Sequence, residues 1–367
     1  MTRNKLFVAY GNDRGKMAKD ILAAMEVHRF LPSGARIALK PNLVVAKTSA
    51  SGATTDPELV RGVLGYLHDY GWRDFAIMEG SWLGTDTGEA FTICGYRELA
   101  GDFQAELIDL KRDAVEKVKV GELEIDICRS ALSADVLIDL PVLKAHSQTG
   151  LTCALKNLKG CLPDREKRRF HALGLHHPIA ALAKALPVAL VVVDAVCGDL
   201  SFEEGGHPVQ MDRVIGGIDP VLVDTYAADL IGYHPREISY IGLAAALGVG
   251  SGDLAAAELA ELNPAEKGLF VHDPKTAGAR GDTASWIEAR DACSACYSQL
   301  SHALARLREH GRAMPRERIC VGQGFKGRQG AGIGVGQCTA GLARSLPGCP
   351  PSAQAMLAYL RASIPLG

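Results

Sequence analysis

The chain has 367 residues, of which 47% are hydrophobic and 22% charged, enough to bury a large core and to exclude disordered and fibrous classes. Forty basic residues against 42 acidic leave a formal charge of -2, so no global field recruits nucleic acid or an anionic membrane, and a charged ligand has to be met locally. Ten cysteines behind an N-terminus with no apolar leader read as reduced thiols in a cytoplasmic protein, available for packing, metals or catalysis.

In chain order, short runs rich in Val, Ile and Leu alternate with helix-like stretches, the pattern of a mostly parallel sheet with helices on both faces. Strands are expected at residues 5–10, 35–40, 74–79, 135–140, 189–194 and 213–217. Asp56-Pro57 opens a helix over 59–68, and Asp219-Pro220 repeats the signal before 221–231, an acidic cap followed by proline at the first helical position. The most apolar run, 188–196, is about half the length that crosses a bilayer, so no membrane span is expected. Beyond residue 250 the alanine run 255–257 reads as helix, and a Gly/Asp/Thr stretch at 278–283 marks a boundary. This divides the chain into an α/β domain, 1–283, and a small cysteine-containing α/β unit, 284–367. The second unit is expected to hold a helix at 298–309, a strand at 318–321, a glycine-rich loop and a final helix at 352–362.

That second unit carries the metal candidates. Cys293 and Cys296 form a CxxC pair before a helix, and Cys338 and Cys349 complete a four-thiol set. Four cysteines suit zinc or an iron-sulfur cluster equally in number. The seven glycines between Gly322 and Gly336 favour a 4Fe-4S cluster, whose sulfides accept backbone N–H bonds and need close chain approach. The literal GxGxxG at Gly322–Gly327 is a weak nucleotide signal, because more glycines follow it and no acidic residue lies about 20 positions on. Cys320 and the scattered Cys94, Cys128, Cys153, Cys161 and Cys197 read as packing residues.

In open parallel sheets ligands bind beyond the carboxyl ends of the strands. Several expected strands end in functional groups: Lys40, Glu79, Lys144 with His146, and Asp194. Downstream lies Lys156, in a segment with Thr149 and Thr152. Lys40, Lys156, Glu79 and Asp194 are the candidate ligand-holding residues, with Lys144 and His146 as candidate catalytic groups. The suggested partner is a small anion, a carboxylate or phosphate, since lysines and hydroxyls supply donors and histidine can move a proton. His171, His176 and His177 follow a charged segment, 164–169, read as a mobile cover; with His146 they make a mononuclear metal site conceivable.

Five pieces of the sequence resemble the family filed as domain of unknown function 362. They are Lys40-Pro41-Asn42-Leu43, Thr54-Thr55-Asp56-Pro57, Leu140-Pro141-Val142-Leu143-Lys144-Ala145-His146, Lys156-Asn157-Leu158-Lys159-Gly160 and Gly217-Ile218-Asp219-Pro220-Val221. The resemblance implies a prokaryotic α/β domain often joined to iron-sulfur segments, without assigning an activity. Many relatives carry a run of closely spaced cysteines, from which this chain departs. Its Gly348-Cys349-Pro350-Pro351 is similar instead to the cluster-binding turn of hydrogenase small subunits. The expectation is an iron-sulfur protein serving redox chemistry or electron transfer, with a redox protein partner and an anionic ligand. The alternatives are a non-enzymatic cluster sensor or carrier, and an enzyme with a structural zinc or cluster.

Overall fold

The structure is a computed structural model that describes residues 3–273 and 283–363. The chain forms two compact units, one of residues 1–166 and 176–272, the other of residues 167–175 and 273–367. Segment 167–175 thus groups with the second unit although the sequence suggests one boundary near 283. Of the expected boundary stretch, residues 278–282 lie outside the described residues.

The strands of the first unit are β1 (Lys5–Tyr10), β2 (Ile37–Pro41), β3 (Phe75–Glu79), β4 (Glu106–Asp109), β5 (Val115–Val120), β6 (Leu123–Cys128), β7 (Val136–Leu140), β8 (Lys144–His146), β9 (Gly150–Thr152), β10 (Leu190–Asp199), β11 (Pro208–Gly217) and β12 (Glu258–Glu261). Eight of them make one sheet in the order β12-β1-β11-β10-β7-β2-β3-β4. β11 runs antiparallel to both neighbours, and the other pairings are parallel. β5 with β6 and β8 with β9 form separate antiparallel pairs.

The inner strands are buried on both faces, which is why they read as unbroken apolar runs. Adjacent glycines on β11 show how each face is covered. A Cβ on Gly216 would collide with Ile21 of the helix Arg14–Ala24, whereas a Cβ on Gly217 would lie 3.1 Å from Val223 of the helix Pro220–Leu230. Successive strand residues point to opposite faces, so these helices cover opposite sides of the sheet. The same period puts Ile37, Leu39, Ile138 and Leu140 into the core beneath the first helix. Lys40 and Asp139, paired across β2 and β7, are left on the other face.

Both expected helix starts are formed. Asp56 accepts from Glu58 N ahead of the helix Pro57–Asp69, and Asp219 accepts from Val221 N and Leu222 N. Two helical expectations fail. The alanine run 255–257 is a turn, because the Asp253 carboxylate captures the N–H groups of Ala255 and Ala256 before a helix can begin, and the chain then enters edge strand β12. Conversely, the charged segment read as a loop cover is the helix Asp164–Ala172, with acids in its first turn and bases in its last.

The helices Arg14–Ala24 and Pro57–Asp69 approach so closely that a Cβ on Gly62 would overlap the Gly15 carbonyl. Gly62→Ala should gain about 1 kcal/mol of helix propensity yet lose about 1–3 kcal/mol net from forced separation. Urea unfolding checks this, and a stabilised variant would contradict the close packing.

In the second unit β13 (Ile287–Ala289), β14 (Ile319–Val321), β15 (Gly330–Val335) and β16 (Leu342–Leu346) form a four-stranded, all-parallel sheet in that order. Helices Ser294–Glu309 and Ala353–Ser363 supply Leu300, Leu304, Met356 and Leu360 to its core. The end of the expected glycine-rich loop is strand β15, whose small residues pair with β14 on one side and β16 on the other, while the stretch before it is not strand.

Candidate functional site

The strand order reverses direction between β2 and β7: from β2 the chain builds outward to β3 and β4, and from β7 it builds the other way to β10. Such a switch point opens a crevice at the carboxyl ends of its two strands. Asn157 fills it. Its Nδ2 donates to Lys40 O at 3.0 Å on β2 and to Asp139 Oδ1 at 2.7 Å on β7, tying the strands together just where their connections diverge. The short helix Ala154–Asn157 that carries it is seated by Asp224, whose carboxylate accepts Ala154 N and Leu155 N.

Around Asn157 the structure gathers most of the sequence candidates, all buried. Lys40 Nζ donates to Glu79 Oε2 at 3.0 Å and to Pro41 O at 2.7 Å. Glu79 also accepts Leu43 N and Gly80 N, both at 2.7 Å. Lys144 Nζ donates to Asn42 Oδ1 at 3.1 Å, Ala53 O at 2.6 Å and Glu203 O at 3.0 Å. Asn42 Nδ2 in turn donates to Asn157 Oδ1 at 2.9 Å, which links the two lysines through two amides. Lys156 Nζ donates to Thr152 Oγ1 at 3.1 Å and Glu203 Oε1 at 2.7 Å. Gly160 permits the assembly: a Cβ there would meet Lys40 Nζ at 2.6 Å and collide with Glu79.

His146 has a defined tautomer. Its Nδ1 is surrounded by donors, Thr149 N at 3.1 Å, Gln148 N at 3.2 Å and the Thr149 hydroxyl at 2.9 Å, so it accepts. Nε2 therefore carries the proton and lies 3.0 Å from Glu203 Oε2. Burial pushes the imidazolium down to about 3, against the pull of Glu203, so the ring is neutral. Glu203 is held well below the carboxylate range: burial opposes this, but His146 and the cations Lys156 and Lys144 outweigh it. Burial also lowers Lys144 to about 7, so it can lose a proton near neutrality. Burial raises Asp139 well above the carboxylate range, and its Oδ2 is buried without a hydrogen-bond partner.

The sequence candidates therefore converge, but not as bare cations around an open pocket. Their charges are met by the chain's own acids and carbonyls, because a buried ammonium without partners is too costly. Asp194 does not join them. β10 continues five residues past it, and its carboxylate takes Arg14 Nε at 3.2 Å and Asp56 N at 3.0 Å, a clamp on the start of the helix Pro57–Asp69. Glu203 went unread because it sits on a loop far along the chain. Its one signal is the acidic pair Glu203-Glu204 in a short apolar and glycine-rich stretch.

In the second unit the four candidate thiols occupy equivalent places. Cys293 caps the helix after β13 and Cys296 lies in that helix's first turn, while Cys338 follows β15 and Cys349 follows β16. All lie beyond the carboxyl ends of parallel strands. They are close enough to act on one another: burial first, then Cys293, Cys349 and Cys338, raise the Cys296 thiol to about 12. A Cβ on Gly336 would lie 3.4 Å from Cys296 Sγ, and Gln337 N donates to Gly348 O at 2.7 Å, which joins the Cys338 and Cys349 turns. Gln323 Nε2 points to Cys293 Sγ at 3.8 Å. Among the described residues, however, no group of three or more His, Cys, Asp or Glu is placed to hold a metal ion. The same finding leaves the conceivable histidine site without support. Cys320 lies on β14 with its Sγ 3.9 Å from Glu288, and the five scattered cysteines are all buried. Gly322, the first glycine of the GxGxxG, has φ +117° and abuts the Arg290 carbonyl, so it serves a backbone crossing.

The profile of the family described as Domain of unknown function (DUF362) matches residues 37–229, which hold β2 through β11 and every lysine of the buried cluster. A thylakoid-associated protein of Synechocystis sp. is 28% identical over 210 residues, 55% of this chain; the match spans 63% of that relative's own length. Among solved structures, the lactate racemase apoprotein from Thermoanaerobacterium thermosaccharolyticum aligns with a TM-score of 0.41 at 14% identity, over 63% of this chain and 57% of that one. A Thermotoga maritima protein aligns at 0.39 and 13%, over 64% and 60%. No helix among the described residues is long and apolar enough to cross a membrane.

Proposed function

Starting from a chain that belongs to the DUF362 family, we propose an iron-sulfur redox protein: the second unit holds a 4Fe-4S cluster on Cys293, Cys296, Cys338 and Cys349, and the first unit takes a small anionic substrate at the switch-point cluster of lysines. The observation that carries this reading is the gathering of four thiols from three separate turns at one end of a parallel sheet. The residues present fit the group. Four thiols are its donor set, and Cys293, Cys349 and Cys338 each act on the Cys296 thiol. When bound, a cluster supplies one electron at a time.

The chain's own residues do the rest. His146, neutral and held as the Nε2–H tautomer, can offer an N–H donor without bringing a charge. Lys144, poised near neutrality, can give or take a proton, and Lys156 and Lys40 fix anionic groups.

Anaerobically isolated protein should be brown, with broad absorption near about 400 nm and equal iron and sulfide. Cys349→Ser should lower the iron content, whereas Cys94→Ser should leave it unchanged. Colourless protein with one zinc per chain overturns the cluster, and equal losses from both variants mean that the ligands are other cysteines.

A further inference from the structure

In the first unit the loop between β10 and β11, residues 200–207, supplies the carboxylate that both Lys156 and His146 bind. The remaining polar groups come from β8, β9 and the short helix that follows them. Lys156 Nζ donates to Oε1 at 2.7 Å and His146 Nε2 lies 3.0 Å from Oε2, so the two groups face opposite oxygens of the same carboxylate. Both donors are fixed from behind, Lys156 by Thr152 and His146 by Thr149. This is the geometry of a carboxylate-binding site with a carboxylate in it.

The occupant is hung differently from the site. Within its loop the Asp199 carboxylate accepts Ser201 N, Phe202 N and His207 N. The loop rests on segment 47–52 and on β8: Gly206 N donates to Ser51 O at 3.0 Å, Asp199 N at the end of β10 to Gly52 O at 2.9 Å, Lys47 Nζ to Glu204 O at 2.8 Å, and Lys144 Nζ of β8 to Glu203 O at 3.0 Å. Lacking ladder hydrogen bonds of its own, the loop can open at lower cost than the strands it joins.

We propose that the Glu203 side chain is an internal stand-in for the natural ligand, a small carboxylate, and that loop 200–207 is the lid which this ligand displaces. The inference rests on reading the lysine cluster as an anion site, and it is independent of the cluster in the second unit. A tethered carboxylate competes at millimolar or higher effective concentration. The free protein is thereby kept neutral inside, and only an anion that satisfies both donors replaces Glu203.

The test measures melting of the full chain in sodium acetate against sodium chloride at equal ionic strength. Glu203→Ala should melt lower than the wild type in chloride and recover saturably in acetate, with half-recovery at a concentration about 10-fold or more below that needed to move the wild type. Adding Lys156→Met to this variant should erase the recovery. In the wild type, high acetate should speed amide hydrogen exchange within residues 200–207, a readout that stands even where Glu203→Ala fails to fold. If the variant responds to acetate no more than the wild type, Glu203 is not a competitor and the stand-in is overturned, although an anion site can survive. A variant that responds to phosphate and not to acetate overturns the carboxylate class. Silence of both proteins to both anions removes the anion site itself, and unchanged exchange in the loop removes the lid.

Discussion

Lys40→Met should destabilise the first unit by about 3–5 kcal/mol, the usual cost of removing one member of a buried ion pair. Lys40 and Glu79 are 0% and 3% exposed, so neither charge can turn to water when the other is lost. The carboxylate would keep the N–H groups of Leu43 and Gly80 but lose its counter-charge, and the Pro41 carbonyl would lose its donor. Lys40→Met with Glu79→Leu should cost less than the sum of the single changes, because the second substitution removes the stranded charge. Urea unfolding followed by circular dichroism reads both effects. A single-variant loss below about 1 kcal/mol, or strict additivity, would mean that this pair does not hold the switch point. Lys16, which pairs with Asp20 on an open helix face, is the control, and its removal should leave the midpoint within scatter.

The stability difference between the wild type and Lys144→Met should shift in favour of the wild type as pH rises from about 7 to about 10. Burial first, and then the neighbouring Lys156 charge, hold Lys144 down at about 7, while Glu203, Glu204 and Asp199 pull the other way. An unfolded lysine titrates near about 10.4, so between these values the unfolded chain binds a proton that the folded chain lacks. Stability from this group therefore rises with pH through the window, and below it the burial penalty is felt in full. Asp224 and Glu204, each raised to about 7 chiefly by burial, act below pH 7 and in the opposite sense, because the folded state holds their protons. Buried thiols such as Cys94, raised to about 11, oppose Lys144 above about pH 8.5. Asp224 and the thiols are common to the two proteins and cancel in the difference, and Glu204, which acts on Lys144, titrates at the lower edge of the window. Thermal melts across pH 6–10 supply the curve, and a pH-independent difference would mean that Lys144 keeps its proton throughout.

The sequence is most legible where one residue type can serve only one purpose. Runs such as residues 75–79 and 190–194 have no polar alternate positions, so only a strand covered on both faces accommodates them. Asp56-Pro57 and Asp219-Pro220 fix helix starts because their side chains bond the nearest free N–H groups. Lys40, Glu79 and Lys144 could be placed at one edge because each closes or follows a parallel run. Tertiary competition was harder to read. Three alanines favour helix, yet the Asp253 side chain diverts their N–H groups first. The glycines from Gly322 to Gly336 suggest a cluster cradle, although a small residue in a strand serves equally to let a neighbouring segment pass close, as Gly334 does against Thr339. Most of all, a row of lysines states only that negative charge is needed nearby. Its source, Glu203, lies 47 residues beyond Lys156, and no local pattern connects the two.

The path of the chain also bears on how the protein can be divided. The polypeptide passes from one unit to the other after residue 166, returns after 175 and leaves again after 272. The small parallel sheet is therefore not a cassette that recombination could attach or remove at a single junction. A tail beginning at 273 would lack Arg168, whose carbonyl accepts Gln323 Nε2 at 2.8 Å, and His171, whose Nε2 faces Ser294 N at 3.4 Å. Exchanging the thiol-bearing unit whole therefore requires a second crossover pair inside the larger one, around the nine residues 167–175.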